Sequence, residues 1–226
     1  MTETPTPAPE PTERYKTLIV VLTLITTIIT AIVATLQADA NIRANTANRD
    51  SQYYAILVSA EMHRSGLQST YDLNTMAKVL VEKQTALMME FTALQSEDKQ
   101  GTALSNLSAL AAQARADILT NFSVFFTDPR YAPKTTDGLP DGEAYLADLS
   151  AKANEILEKQ NAAADDYHKW SSKADSYVGV LTVIAVAFFL LGLAQALTGR
   201  MRLVFAIFGG VILLASSAWA VLILVV

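Results

Sequence analysis

Three uninterrupted apolar runs decide what this chain can fold into. Residues 17–36, 177–198 and 203–226 hold 20, 22 and 24 residues without a single Asp, Glu, Lys, Arg or His. At about 1.5 Å rise per residue, each forms a helix of roughly 30 Å or more, the hydrocarbon thickness of a bilayer. Only a helix or a closed barrel satisfies its backbone in lipid, and runs of this length and continuity specify the helix. The segment between the first and second runs is polar enough for water. The expected fold is therefore an all-α membrane protein, with three transmembrane helices and a soluble helical bundle or coiled-coil domain (37–175) inserted between the first and second spans.

The first run is read as an uncleaved anchor. Ala38-Asp39-Ala40 has the small-x-small form of a cleavage site, but an apolar core of 20 residues exceeds that of a signal peptide. The preceding tail, 1–16, is rich in Pro and Thr and has too little apolar surface to offset its ordering entropy, which predicts disorder. Orientation follows from charge. Arg200 and Arg202 lie in the short connection between the last two spans, and Arg14 and Lys16 precede the first. Short basic segments stay on the cytoplasmic side. A multi-pass protein of the cell (cytoplasmic) membrane is expected, with a cytoplasmic N-terminus and an extracytoplasmic domain.

Charge and composition narrow the function. Residues 37–175 carry 13 Lys and Arg against 19 Asp and Glu, a net of −6. Nucleic-acid binding depends on cationic contacts to phosphates, so it is not expected. The chain has no cysteine, which removes thiolate metal sites and Cys nucleophiles. His63 and His168, even with Asp165 and Asp166 near the latter, make no zinc pattern. Phosphate-cradling loops, nucleophile elbows and His-Glu-x-x-His are all missing from the sequence. No enzyme activity and no cofactor are expected.

Between the spans the spacing is helical. Leu146, Leu149, Ala153, Ile156, Gln160, Ala163, Tyr167, Trp170, Ala174 and Tyr177 alternate by threes and fours, predicting one heptad seam that enters the second span. A second stripe runs through Leu104, Leu107, Ala111, Ala114, Ile118, Phe122 and Phe125, with Thr102 as N-cap and an end at Asp128-Pro129. The Pro/Gly-rich segment 128–142 is the predicted loop, and Asp141-Gly142-Glu143 opens the last helix of the domain. Earlier, Tyr53, Ile56, Ala60, His63 and Leu67 form one stripe, and Leu73, Met76, Leu80, Leu87, Phe91 and Leu94 another, out of phase. Either the helix breaks near Gly66, or one long helix carries a stutter there. The second alternative pairs one helix of about 60 residues with two shorter ones laid end to end.

Within the spans, Thr23, Thr26, Thr27 and Thr30 lie on one face of the first. Their hydroxyls can line a pore or join helices, or else bond their own backbone four residues back. Gly192 with Ala196, Ala206 with Gly210, and Ser216 with Ala220 form small-xxx-small pairs suited to close span packing. Tyr15, Trp170 and Tyr177 sit where amphipathic rings favour the headgroup level. Ala40, Ala44, Ala47, Ser51 and Ala55 make a narrow face for close helix contact. Without an ionisable group at depth, the spans do not read as an active transporter.

The stretch from Asn45 to Ala55 (Asn-Thr-Ala-Asn-Arg-Asp-Ser-Gln-Tyr-Tyr-Ala), with the Arg-containing turn between two C-terminal spans, resembles a family of bacterial three-span membrane proteins with no assigned activity. Ile56-Leu57-Val58 stand where that family continues Gln-Ala-Lys. The resemblance implies a bacterial membrane setting.

The expected function is a non-enzymatic integral membrane scaffold or assembly subunit. Its partners would be the lipid bilayer and either further copies of itself, as a homo-oligomer, or another membrane protein. Two alternatives are a homo-oligomeric channel lined by the threonine face of the first span, and a membrane signal sensor working with a separate output partner.

Overall fold

The computed structural model describes residues 11–133 and 138–225, with side chains from Tyr15 onward. All regular structure among them is helical. Helix α1 is Pro11–Gln95, α2 Lys99–Asn121, α3 Val124–Thr127, α4 Gly142–Ala196 and α5 Arg200–Val225, and a 3-10 turn covers Pro129–Tyr131. Three of these, α1, α4 and α5, are long and apolar enough to cross a membrane. Helix α1 begins six residues before the first apolar run, because proline is accommodated in a first turn where its missing N–H has no partner to lose. The tail expected over 1–16 thus gives way to helix at Pro11, and its first ten residues lie outside the described residues. So do residues 134–137 of the Pro/Gly loop.

The chain forms two compact units, one from Met1–Ser51 with Asn161–Val226, the other Gln52–Gln160; the division falls inside α1 and α4. In the first unit the inward positions alternate by threes and fours. On α4 they are Tyr177, then Val180, Ile184, Ala187, Leu191 and Ala194; on α5 Arg202, Ala206, Gly209, Leu213, Ser216 and Ala220. On α1, Ile19, Thr26, Val33 and Ala40 are buried at intervals of seven. Val33, Ala40, Ala174, Tyr177, Val180, Ile184 and Ala220 pack into one core, and Ile19, Ala194 and Ala206 into another. Large aliphatic side chains such as Leu24, Ile28, Val211 and Leu214 point outward, as lipid-facing residues do.

Helix association in lipid gains from packing rather than from escape from water, so small residues mark the contacts. A Cβ at Gly209 would stand 3.0 Å from Leu191 Cγ and 3.3 Å from the Ala187 carbonyl oxygen. Another at Gly179 would stand 3.2 Å from the Trp219 ring. Between α4 and α5, Gly199 takes φ +74°, the left-handed turn that a side chain disfavours.

In the second unit α1 runs unbroken past Gly66, so the long-helix alternative holds. Helix α2 folds back along the C-terminal part of α1, with Arg115 Nε 3.0 Å from Glu82. Helix α4 lies along the earlier part, where the Ser65 hydroxyl donates to the Leu149 carbonyl at 2.9 Å and Lys152 pairs with Glu61 at 3.2 Å. Two local expectations are corrected. Asp98, not Thr102, caps α2, accepting from the amides of Gln100 and Gly101, because its carboxylate reaches two free first-turn donors. The helix predicted to run to Asp128 stops at Asn121 and resumes as α3, because Ser123 is extended (φ −114°, ψ 124°) and turned into a buried hydrogen bond.

Candidate functional site

On α1 and α2 the large apolar residues read as helix-packing stripes, Met76 and the buried Phe125 after α2 apart, are not the ones that pack within the chain. On α1 the inward positions are Asp72, Thr75, Val79, Ala86 and Ala93, all buried, with Glu82 and Met89 half-buried between them. With the half-buried Tyr54, Val58, Glu61, Ser65 and Gln68 before them, they alternate by threes and fours across Gly66, which removes the stutter expected there. The outward row is Leu73, Leu80, Leu87 and Leu94, one leucine every seven residues, each between 42 and 83% exposed. Phe91 and Met88 flank it and are equally open. Likewise on α2, Ala109, Ala112 and Ala116 face inward, whereas Leu104, Leu107, Ile118 and Phe122 of the predicted stripe are exposed. The physical reason is distance: alanine and threonine let two backbones approach closely, and this pushes the bulky side chains one position round the helix, away from the contact. A row of leucines at heptad spacing on an open helix face has the geometry of a coiled-coil seam without a partner.

The same unit is closed by a polar centre that no sequence motif announced. Asp72 is completely buried on α1. It accepts from the Tyr145 hydroxyl of α4 at 2.5 Å, from the Ser123 hydroxyl at 2.6 Å and from Gln68 Nε2 at 2.8 Å. A buried carboxylate is tolerated when its lone pairs are filled in this way. Around it pack Phe125, Tyr131 and Tyr145. Burial, then the hydrogen bond to Asp72, drives the Tyr145 hydroxyl pKa well above the ordinary phenol value. Tyr131, also raised mainly by burial, donates to Asp148 at 2.9 Å, while hydrogen bonding to Arg130 holds Asp128 below the usual carboxylate range. This centre ties α1, the α2–α3 junction and the start of α4 together. The seam read from Leu146 enters the bundle through Tyr145 instead, leaving Leu146 exposed.

In the spans, each threonine hydroxyl donates to the carbonyl four residues back: Thr23 to Ile19 at 2.9 Å, Thr26 to Leu22 at 2.7 Å, Thr27 to Thr23 at 3.0 Å and Thr30 to Thr26 at 2.7 Å. Thr26 is the buried one; Thr23 and Thr30 are half-buried and Thr27 is exposed. Thr23 also accepts from Gln195 Nε2 at 3.0 Å. Gln195 is the only carboxamide in the three apolar runs, a signal that could have singled it out. Of the small residues, Ala206 is buried, Gly210 is half-buried, and Gly192 and Ala196 face outward. Tyr177, expected at the headgroup level, is turned into the three-helix core. Trp170 is half-buried, with the Arg43 guanidinium 4.7 Å and the Lys173 ammonium 5.5 Å from its ring centre. Tyr15 and Arg200 are exposed, and Arg202 is buried.

No protein-family model, curated protein or solved structure matches the chain.

Proposed function

We propose that this protein is a non-enzymatic membrane scaffold or assembly subunit that works by self-association, using the outward leucine row of α1. The observation that carries this reading is the four exposed leucines at intervals of seven, Leu73, Leu80, Leu87 and Leu94. Soluble surfaces seldom leave such a contiguous apolar strip uncovered. Copies inserted in a membrane by the same rule all have the same orientation, so their α1 helices run parallel. A seven-residue leucine repeat is the pattern that two parallel helices bury in register. On this reading Gln52–Gln160 is the inserted aqueous domain, outside the cell membrane by the basic turn at Arg200 and Arg202, and each copy presents Leu87 to its counterpart.

Because the chain has no cysteine, a single Leu87→Cys substitution gives a clean probe. Mild oxidation of membranes carrying it should link copies into a disulfide dimer. Cysteine at Lys78, outside the row, should link far less. Equal cross-linking at both positions would refute the proposed seam.

A further inference from the structure

Arg202, in the first turn of α5, is only 7% exposed, and its Nε is buried without a hydrogen-bond partner among the described residues. It lies one turn before Ala206, which packs against Ile19 and Ala194. A guanidinium withdrawn from water needs an anion, since the charged form cannot be relieved by losing its proton. The spans offer none, for the three apolar runs contain no Asp or Glu. The amides of the first turn of α5 have no acceptors within their own helix, and Arg200 adds a second, exposed positive charge beside them.

Immediately next in sequence, Leu203 opens an apolar groove between α1 and α5. Its volume is about 420 Å³, and Leu18, Leu22 and Ile25 line one wall and Leu203, Ile207 and Gly210 the other. On α1 it extends from Leu18 to Ile29, twelve residues or roughly 16 Å of helix. That is about half the hydrocarbon thickness, the depth of one leaflet. Arg202 does not itself line the groove, but it stands in the first turn of α5 beside Leu203 and one turn before Ala206, which both do.

We infer that α1 and α5 hold an anionic phospholipid, its phosphate on Arg202 and the first-turn amides of α5, and one acyl chain in the groove. A free phosphate ion would satisfy the same guanidinium but would leave the groove without a role. Charge complementarity and the channel together select the lipid.

The test uses the full chain, purified in mild detergent and offered phosphatidylglycerol, phosphatidylcholine or inorganic phosphate, with retained lipid read by native mass spectrometry and binding of each probe by the shift in melting temperature. Phosphatidylglycerol should be retained and should raise the melting temperature, and phosphatidylcholine should do neither. Arg202→Gln should lower retention about tenfold or more, the effect of losing a hydrogen bond to a charged group, and Arg202→Lys should keep most of it. Gly210→Leu provides a second variant that does not depend on the arginine. A Cβ at Gly210 meets nothing within 4 Å, so the added side chain fills the groove without a clash and should also expel the lipid. Equal retention of the two lipids by the wild type, or undiminished retention in both Arg202→Gln and Gly210→Leu, overturns the assignment. So does a melting shift that inorganic phosphate reproduces in full.

Discussion

The Tyr145 hydroxyl donates its hydrogen to the carboxylate of Asp72, 73 residues earlier in the chain, and both side chains are buried. This one contact joins the start of α4 to the middle of α1, and Ser123 adds the α2–α3 junction to the same carboxylate. It explains why α2 ends where no sequence signal ends it.

Asp72→Ala leaves the hydroxyls of Tyr145 and Ser123 without their shared acceptor. A buried group stripped of its partner costs about 1–3 kcal/mol, so this variant should melt well below the wild type. Tyr145→Phe removes one donor and keeps the ring, and should cost about 0.5–1.5 kcal/mol. Thermal unfolding in detergent, followed by circular dichroism, measures both.

The same pair gives a pH dependence whose sign is fixed. The pKa of Tyr145 is raised in the folded state, mainly by burial and then by its bond to Asp72. Below about pH 10, the ordinary phenol value, Tyr145 is protonated folded and unfolded, and its contribution is fully present. Above that, the unfolded chain releases a proton that the folded one retains, so stability falls as the pH rises. The wild type should therefore lose more stability between pH 9 and pH 11 than Tyr145→Phe does. Parallel curves for the two proteins would contradict this.

Gly66 lies inside α1, exposed, and a Cβ there meets nothing within 4 Å. A glycine in a helix interior costs about 0.5–1 kcal/mol relative to alanine. Gly66→Ala should stabilise the protein by about that much without altering its assembly. A loss of stability would show that the helix needs to bend at that position.

Gly209 is the opposite case, since its Cβ position is already crowded by Leu191 and the Ala187 carbonyl. Gly209→Leu should force α4 and α5 apart, at a cost of about 1–3 kcal/mol. Gly192→Leu, with open space at its Cβ, should be nearly neutral. Comparing the two in detergent separates close span packing from a general intolerance of bulk.

Much of the architecture was legible because it rests on local pattern. The three charge-free runs correspond to helices α1, α4 and α5, and the threes-and-fours spacing after Ala153 follows α4 through Tyr177. The inward face of α1 was not legible. Large apolar residues dominate a sequence reading of the heptads, whereas the chain packs itself through Ala86, Ala93, Thr75 and Asp72. Read as core positions, Leu73, Leu80 and Leu87 are out of phase with Tyr53 and Ile56, which predicts a break at Gly66 that the helix does not have. Nor could spacing reveal the Asp72 centre, whose partners Ser123 and Tyr145 stand 51 and 73 residues away. The Asp98 cap was within reach of sequence reasoning, because an aspartate immediately before a helix is a strong N-cap signal.

Self-association through the outward leucine row is most directly tested by the mass of the protein in native nanodiscs, wild type against a Leu80→Glu, Leu87→Glu double variant. The account predicts a closed oligomer for the wild type and a folded monomer for the variant, because both positions are exposed in the single chain and the charges disturb no internal contact. A monomeric wild type, or a variant that assembles as before, would contradict it.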